Sequence, residues 1–402
     1  MFTPQGDRSY GPMVPRLKAE FERRFGASAR LLSRAPGRVN LIGEHVDYNG
    51  GPVLPVALDR ELRLAARPSG DDLVILHALD LDRSVAFRLR ELSPGVDVTG
   101  SALPGWARYP AGVAWALLEA GLRVSGVQVV YASNLPRGAG LASSAAVEVA
   151  FAVLWQALGG WSLERMDLAR LCQRAENEYV GVACGLMDQF ASACGVEGHA
   201  IWFDTRSLEW QTYPLPEGTS LVIADSGIRR RLAESAYNQR RADCERAVEL
   251  LRSYLPAMQT LRDITPVEFA AYSEVLPPQV RRRAEHVVKE IARVGSAVNA
   301  LQRSDARVLG ALLFAGHASL RDLYEVSLPE LDALVEIART LPGCLGARLT
   351  GAGFGGCTVN LVEEAHVQEF NAALEAAFHE RTGRQARVYL CRASAGASLQ
   401  FL

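Results

Sequence analysis

Residues 37–51 read GRVNLIGEHVDYNGG, and they set Arg38, Glu44, His45 and Asp47 between glycine-marked turns beside the apolar run VNLIG. A strand and a turn need none of these charges, so the charges raise the question of a site. Two further stretches could do chemistry. In PRGAGLASSAA, Gly138 and Gly140 let the backbone turn tightly and approach a ligand closely. A helix opening near Ser143 would present unpaired N–H groups and the positive end of its dipole. The hydroxyls of Ser143 and Ser144 suit a phosphate or Mg2+. The same residues also make an ordinary turn with serine capping, and the motif alone supports both readings. It holds no lysine and is not GxxxxGK[ST]. The protein-kinase motifs HRD and DFG are absent too.

In NEYVGVACGLMDQFAS, Asp188 follows Gly185 among Leu186, Met187 and Phe190. A carboxylate in apolar surroundings has to be paired. It is either half of a structural ion pair or a site residue with a basic partner, for which Arg38 is the candidate. Glu176, upstream on an expected helix, is a surface residue unless that helix points toward Ser144. GAGFGG at 351–356 reads equally well as a tightly packed hairpin. Trp106, in what reads as a Pro/Gly loop, is either core or a platform for a base.

The elements that must position these residues emerge from periodicity and punctuation. An amphipathic helix is expected over 14–25. LSRAPGRVNLIG reads as strand, turn, strand, and Pro52 and Pro55 limit the next stretch to edge strand or loop. ELRLAARPSG and LVILHALD are strands about a turn at 70–72. YPAGVAWALLEAG is a helix stopped by Gly121. VQVVYASNLP is a strand, and an alanine-rich helix starts near Ser143. Ser162 is the expected N-cap of a helix running through Arg174, Glu176 and Tyr179 to Gly181. LVIADSG is a buried strand, 234–254 a polar helix, and 280–340 mostly helical. GARLTGAGFGGCTVNLV is strand, glycine turn, strand, and QTYPLPEGT is the best linker. Strands and helices alternate without a regular βαβ rhythm, which points to α/β or α+β domains with mixed sheets.

Composition narrows the class. A length of 402 residues fits two domains, and 49% hydrophobic against 22% charged residues supplies real cores. A net charge of −2 without a block of one sign argues against nucleic acid. The arginines at 281–283 read as a solvated helix face. Seven cysteines without CxxC spacing read as reduced thiols of a cytoplasmic protein. The histidines form no zinc pattern. The first residues do not read as a signal peptide, and no apolar run is long enough to span a membrane.

Taken together, APGRVNLIGEHVDYNGG, PRGAGLASSAAVEVA, CGLMDQFAS, RLTGAGFGGCTVNLV and the closing VYLCRASAGA resemble, in order and spacing, the galactokinases of the GHMP small-molecule kinase family. The resemblance implies a two-domain fold. A ribosomal-S5-like N-terminal domain would cover 1–210 and a GHMP C-terminal domain 211–402. The chain end, about 388–402, would return to the first, and the active site would lie between them. It implies transfer of the ATP γ-phosphoryl group to the anomeric hydroxyl of galactose by a cytoplasmic monomer with no membrane or nucleic-acid partner. Arg38, Glu44, His45, Asp47, Gly185, Asp188 and Tyr237 would bind the sugar. Asp188 would accept the hydroxyl's proton or orient the hydroxyl, and Arg38 beside it would keep it ionised and stabilise charge on the transferring phosphoryl. Gly138, Gly140 and Ser143 would cradle phosphates, Ser144 and Glu176 would hold Mg2+, and Trp106 would stack near adenine. Ala142 stands where the family has a first serine, and Val46 and Ala352 are milder departures. Gly227 and Arg230 differ near the sugar side, which leaves open a kinase for N-acetylgalactosamine, arabinose or a uronic acid. A non-catalytic galactose sensor is the rival of another class, but the intact SSAA and Asp188 weigh against it.

Overall fold

A computed structural model describes residues 13–93, 95–136, 138–229 and 233–402. The N-terminal stretch read for a signal peptide, Arg137 of the glycine-rich loop, and Arg230 lie outside the described residues.

Among the described residues, three sheets organise the fold. The largest runs, in spatial order, Ser398–Phe401, Leu31–Asn40, Pro55–Pro68, Val127–Ser133, Leu73–Ala78 and Arg83–Arg88. Only the pair of Leu73–Ala78 with Val127–Ser133 is parallel. Both faces of this sheet are covered, and the period of two in the strand sequences sorts side chains between them. Leu62, Leu64 and Ala66 pack toward the helix Ser143–Gly159. Ala65, Val130 and Ala132 pack toward Leu17 and Phe21 of the helix Met13–Phe25. Burying such Leu and Phe side chains contributes about 1.5–3 kcal/mol each.

A four-stranded antiparallel sheet orders Cys344–Leu349, Cys357–Glu363, Thr219–Asp225 and Arg387–Cys391. One face, with Val222 and Ala224, packs on the helices Pro329–Thr340 and Val367–Thr382 through Leu334, Phe370, Leu374 and Phe378. A small third sheet joins Pro52–Val53, His199–Asp204 and Trp210–Pro214. The expected linker QTYPLPEGT is thus mostly strand: Gln211–Pro214 extend the third sheet, and Thr219 already pairs in the four-stranded one. After Arg387–Cys391 the chain crosses back, and Ser398–Phe401 pairs beside Leu31–Asn40.

Several local expectations change. LSRAPGRVN is one strand with a bulge between Pro36 and Arg38, not strand, turn, strand. Bulges re-aim side chains, and this one precedes Arg38. Pro55 opens a 14-residue interior strand, where its missing N–H falls at the first position. The helix after Trp161 begins at Arg165 with Glu164, not Ser162, before it. It continues as one π turn over Ala175–Val180 to Gly181. Arg283 is 1% exposed and pairs with Glu325, so the three arginines do not share a solvated face. At 3.6 residues per turn, three consecutive positions fan out around a helix.

Candidate active site

The charged residues of the first motif meet those of CGLMDQF. Arg38 follows the bulge, and Asp188 lies in the first turn of the helix Met187–Cys194. Arg38 Nε donates to Asp188 Oδ1 at 2.8 Å, and Nη2 donates to Oδ2 at 2.6 Å. This is the two-pronged geometry that suits a guanidinium to a carboxylate. The remaining arm, Nη1, donates to the Gly140 carbonyl at 2.6 Å and so fastens the glycine-rich loop to the pair. The Arg38 side chain is 5% exposed and that of Asp188 27%, so the aspartate is the partner a ligand can reach.

A cavity of about 350 Å³ opens over this pair. Arg38, Glu44, His45, Asp47, Glu176, Gly185, Asp188 and Tyr237 all line it, with Cys184 and Asn238. Asp47 sits in the short turn Asp47–Asn49, and its Oδ2 would be only 2.0 Å from a Cβ at position 185. Burial pushes its carboxyl up to about 6, against the pull of the Tyr48 backbone N–H, with the Asp188 charge adding to the rise. Burial likewise pushes Glu44 up to about 7 despite Arg348.

The His45 ring lies between Tyr48 Oη, 3.0 Å from Nδ1, and the Ala352 carbonyl, 3.2 Å from Nε2. In the neutral ring that carbonyl assigns the proton to Nε2 and leaves Nδ1 to accept from Tyr48. Tyr237 packs against His45 and Tyr48 with ring centroids 5.4 Å away in each case. His45, Ala142 and Phe354 hold φ of 63°, 56° and 56°, one in each of the first, second and third glycine-containing motifs. Non-glycine residues rarely adopt this conformation, and such strain gathers at ligand sites.

A second cavity, of about 200 Å³, holds Trp106, Tyr109, Tyr131, Ser143 and Ser144 in its wall. Trp106 is not in a loop. It is the second residue of the helix Gly105–Glu119, and its Nε1 is buried without a partner among the described residues. Gly138 and Gly140 line neither cavity and form the loop before Ser143. Glu176 joins the two spaces. It lines the first cavity, is 5% exposed and accepts a hydrogen bond from Ser144 of the second. Burial, then the nearby Asp188 charge, push it up to about 7.

Sequence reasoning passes over five participants. The Gln189 amide donates to Glu176 at 2.6 Å and to the fully buried Glu148 at 2.9 Å. Glu148 lies four residues past Ser144 on one helix face, a spacing that the sequence does carry. Tyr48 and Tyr324 join hydroxyls at 2.6 Å. Arg348 pairs with Glu44.

Comparison with known proteins places these features in a family. A model of the galactokinase galactose-binding signature matches residues 19–68, and models of the GHMP kinase N-terminal and C-terminal domains match 108–196 and 297–380. A galactokinase of Roseiflexus sp. (strain RS-1) is 46% identical over 94% of this chain and 95% of its own length. One of Chloroflexus aggregans is 46% identical over 95% and 96%. Among solved structures, Lactococcus lactis galactokinase complexed with galactose superposes with a TM-score of 0.90 at 33% identity, over 96% of this chain and 99% of that one.

Proposed function

The chain belongs to the galactokinases of the GHMP kinase family, and from that premise we propose that it phosphorylates galactose from ATP at the Arg38–Asp188 pair. The observation that carries the assignment of roles is this two-pronged pair in the wall of the first cavity.

A sugar is a shell of hydroxyls, and rejecting analogues takes fixed donors and acceptors. Asp47, Glu44, His45, Tyr237 and Asp188, which all line the cavity, supply them. The anomeric hydroxyl is read as donating to Asp188, whose carboxylate is already held by Arg38. Phosphoryl transfer is mostly positioning and charge neutralisation. Asp188 therefore orients the hydroxyl and takes its proton as the new O–P bond forms and the bond from the γ-phosphorus to ADP breaks, releasing ADP, while Arg38 offsets the charge gathering on the transferred group. The nucleotide is read as entering the second cavity, its base against Trp106 and its phosphates toward Gly138, Gly140 and Ser143.

Mg2+ fits the residues between the cavities. Ser144 and Glu176 bring two oxygens into contact. Burial and then the Glu176 charge push the neighbouring Glu148 carboxyl up, so this corner favours a proton or a cation. Among the described residues no cluster of three or more His, Cys, Asp or Glu could hold a metal. Mg2+ bound with nucleotide phosphates uses one or two protein groups and needs no such cluster. Ser144 and Glu176 would hold the ion, which would neutralise phosphate charge when bound. We read the enzyme as a cytoplasmic monomer; its seven cysteines without CxxC spacing support the compartment. No helix among the described residues is long and apolar enough to cross a membrane.

Asp188→Asn tests the central role. It should lower kcat by at least about 10²-fold while galactose still binds by calorimetry. Turnover within a few-fold of the parent would remove Asp188 from the chemistry.

A further inference from the structure

Arg348 has no part in the roles above, yet its side chain is fully buried and shared between two buried carboxylates. Nη1 donates to Glu290 Oε1 at 2.8 Å, and Nη2 donates to Glu44 Oε2. Glu290, on the helix Pro278–Gln302, also accepts from Arg293 Nε at 2.7 Å and from the Gly43 backbone N–H at 2.8 Å. Burial alone would raise the Glu290 carboxyl, but Arg348 and Arg293 outweigh it and hold it well below the usual range. Space for the guanidinium comes from Gly316, where a Cβ would stand 2.8 Å from Nη1. Two acids thus face two arginines around the fully buried Arg348.

Buried ion pairs are weak devices for stability, because desolvation offsets their attraction. Their firmer use is to fix one arrangement. Here one end of the network is free to do so: of Glu44, Glu290, Arg293 and Arg348, only Glu44 lines the sugar cavity. Its other oxygen accepts from the Gly351 N–H at 3.2 Å. Both Glu44 oxygens are therefore held from one place, by Arg348 in the strand Cys344–Leu349 and by Gly351 just past its end.

We propose that Arg348, backed by Glu290, is a positioning residue for sugar recognition. It holds the Glu44 carboxylate in one orientation and so sets which hydroxyl pattern the cavity accepts. This rests on the reading of Glu44 as a sugar ligand. A lysine keeps the charge but not the planar fork, and it cannot serve both carboxylates in this geometry.

The test uses the full-length enzyme and galactose together with its 2-, 3-, 4- and 6-deoxy analogues. In the parent, one missing hydroxyl should raise KM most, and Glu44→Gln should flatten that difference. Arg348→Lys should flatten the same difference and raise the galactose KM about tenfold, with the KM for MgATP unchanged. If Arg348→Lys does not fold, Glu290→Gln is read instead, and it should shift the same analogue in the same direction. A folded Arg348→Lys or Glu290→Gln with the parent's analogue profile overturns the proposal. If Glu44→Gln itself leaves every analogue unchanged, the reading of Glu44 as a ligand fails, and the proposal falls with it.

Discussion

Replacing Gly185 with alanine would place a methyl group 2.0 Å from Asp47 Oδ2 and 3.0 Å from its Cγ. Carbon and oxygen need more than about 3 Å, so the carboxylate has to retreat by about 1 Å or more. The Asp47 backbone cannot follow freely. Its carbonyl accepts from Thr205 Oγ1 at 3.0 Å and from the Gly50 N–H at 3.0 Å. The side chain must turn off its rotamer instead, at about 0.5–1.5 kcal/mol. An acceptor moved that far loses its hydrogen bond to a sugar hydroxyl, and a bond to a charged group contributes about 1.5–3 kcal/mol. The galactose KM should therefore rise roughly tenfold to a hundredfold. The KM for MgATP should stay near the parent value, since the Trp106 cavity is lined by neither residue. Initial rates of ADP formation, with galactose titrated at saturating MgATP and the reverse, measure both. A galactose KM within twofold of the parent would refute the claim that Asp47 and Gly185 form the sugar wall.

The raised carboxyls of Asp47 and Glu44, about 6 and about 7, have opposite effects on activity and stability. Both accept more strongly from hydroxyls when ionised, so kcat/KM for galactose should fall as pH drops through 7 to 6. The folded state binds the Asp47 proton more tightly than the unfolded chain, so stability should fall as pH rises from about 4 through 6. Asp47→Asn should remove Asp47's share of that slope, leaving the shares of Glu44 and Glu176, and stabilise the protein at pH 7.5 by about 3 kcal/mol while weakening galactose. Melting curves at pH 5 and 7.5 read this directly, and parallel pH dependences would contradict it. Ser144→Ala should raise the Mg2+ concentration for half-maximal rate severalfold, and an unchanged Mg2+ titration would reject Ser144 as a ligand. Trp106→Ala should raise the ATP KM about fivefold or more and leave galactose alone; equal losses on both substrates would mean the ring serves only packing.

The features legible in the sequence are local. Glycine–serine spacing, the charge run at 38–47 and the aspartate in CGLMDQF are short patterns that carry their own physical reasons. They are enough to name many of the residues gathered around the Arg38–Asp188 and Trp106 cavities, though not Cys184, Asn238 or Tyr109. The hidden features depend on contacts made across hundreds of residues. Glu44 meets Arg348, and Gly43 meets Glu290, across chain separations that no periodicity reports. A guanidinium in a row of arginines looks solvated until the helix is packed, and Arg283 is the case in point. The strand Leu31–Asn40 reads as two because Pro36 and Gly37 signal a turn. In the sheet they make a bulge, whose neighbours on the adjoining strand hold the chain extended. Trp106 reads as a loop residue because Pro104 and Gly105 precede it, although proline just before a helix is a common way to begin one.

ADP release from the purified protein with MgATP, measured across galactose, glucose, N-acetylgalactosamine, arabinose and galacturonate, tests the central claim most directly. The account predicts turnover with galactose far above the rest. It is contradicted if another sugar is preferred, or if none turns over in a protein that still binds galactose and ATP.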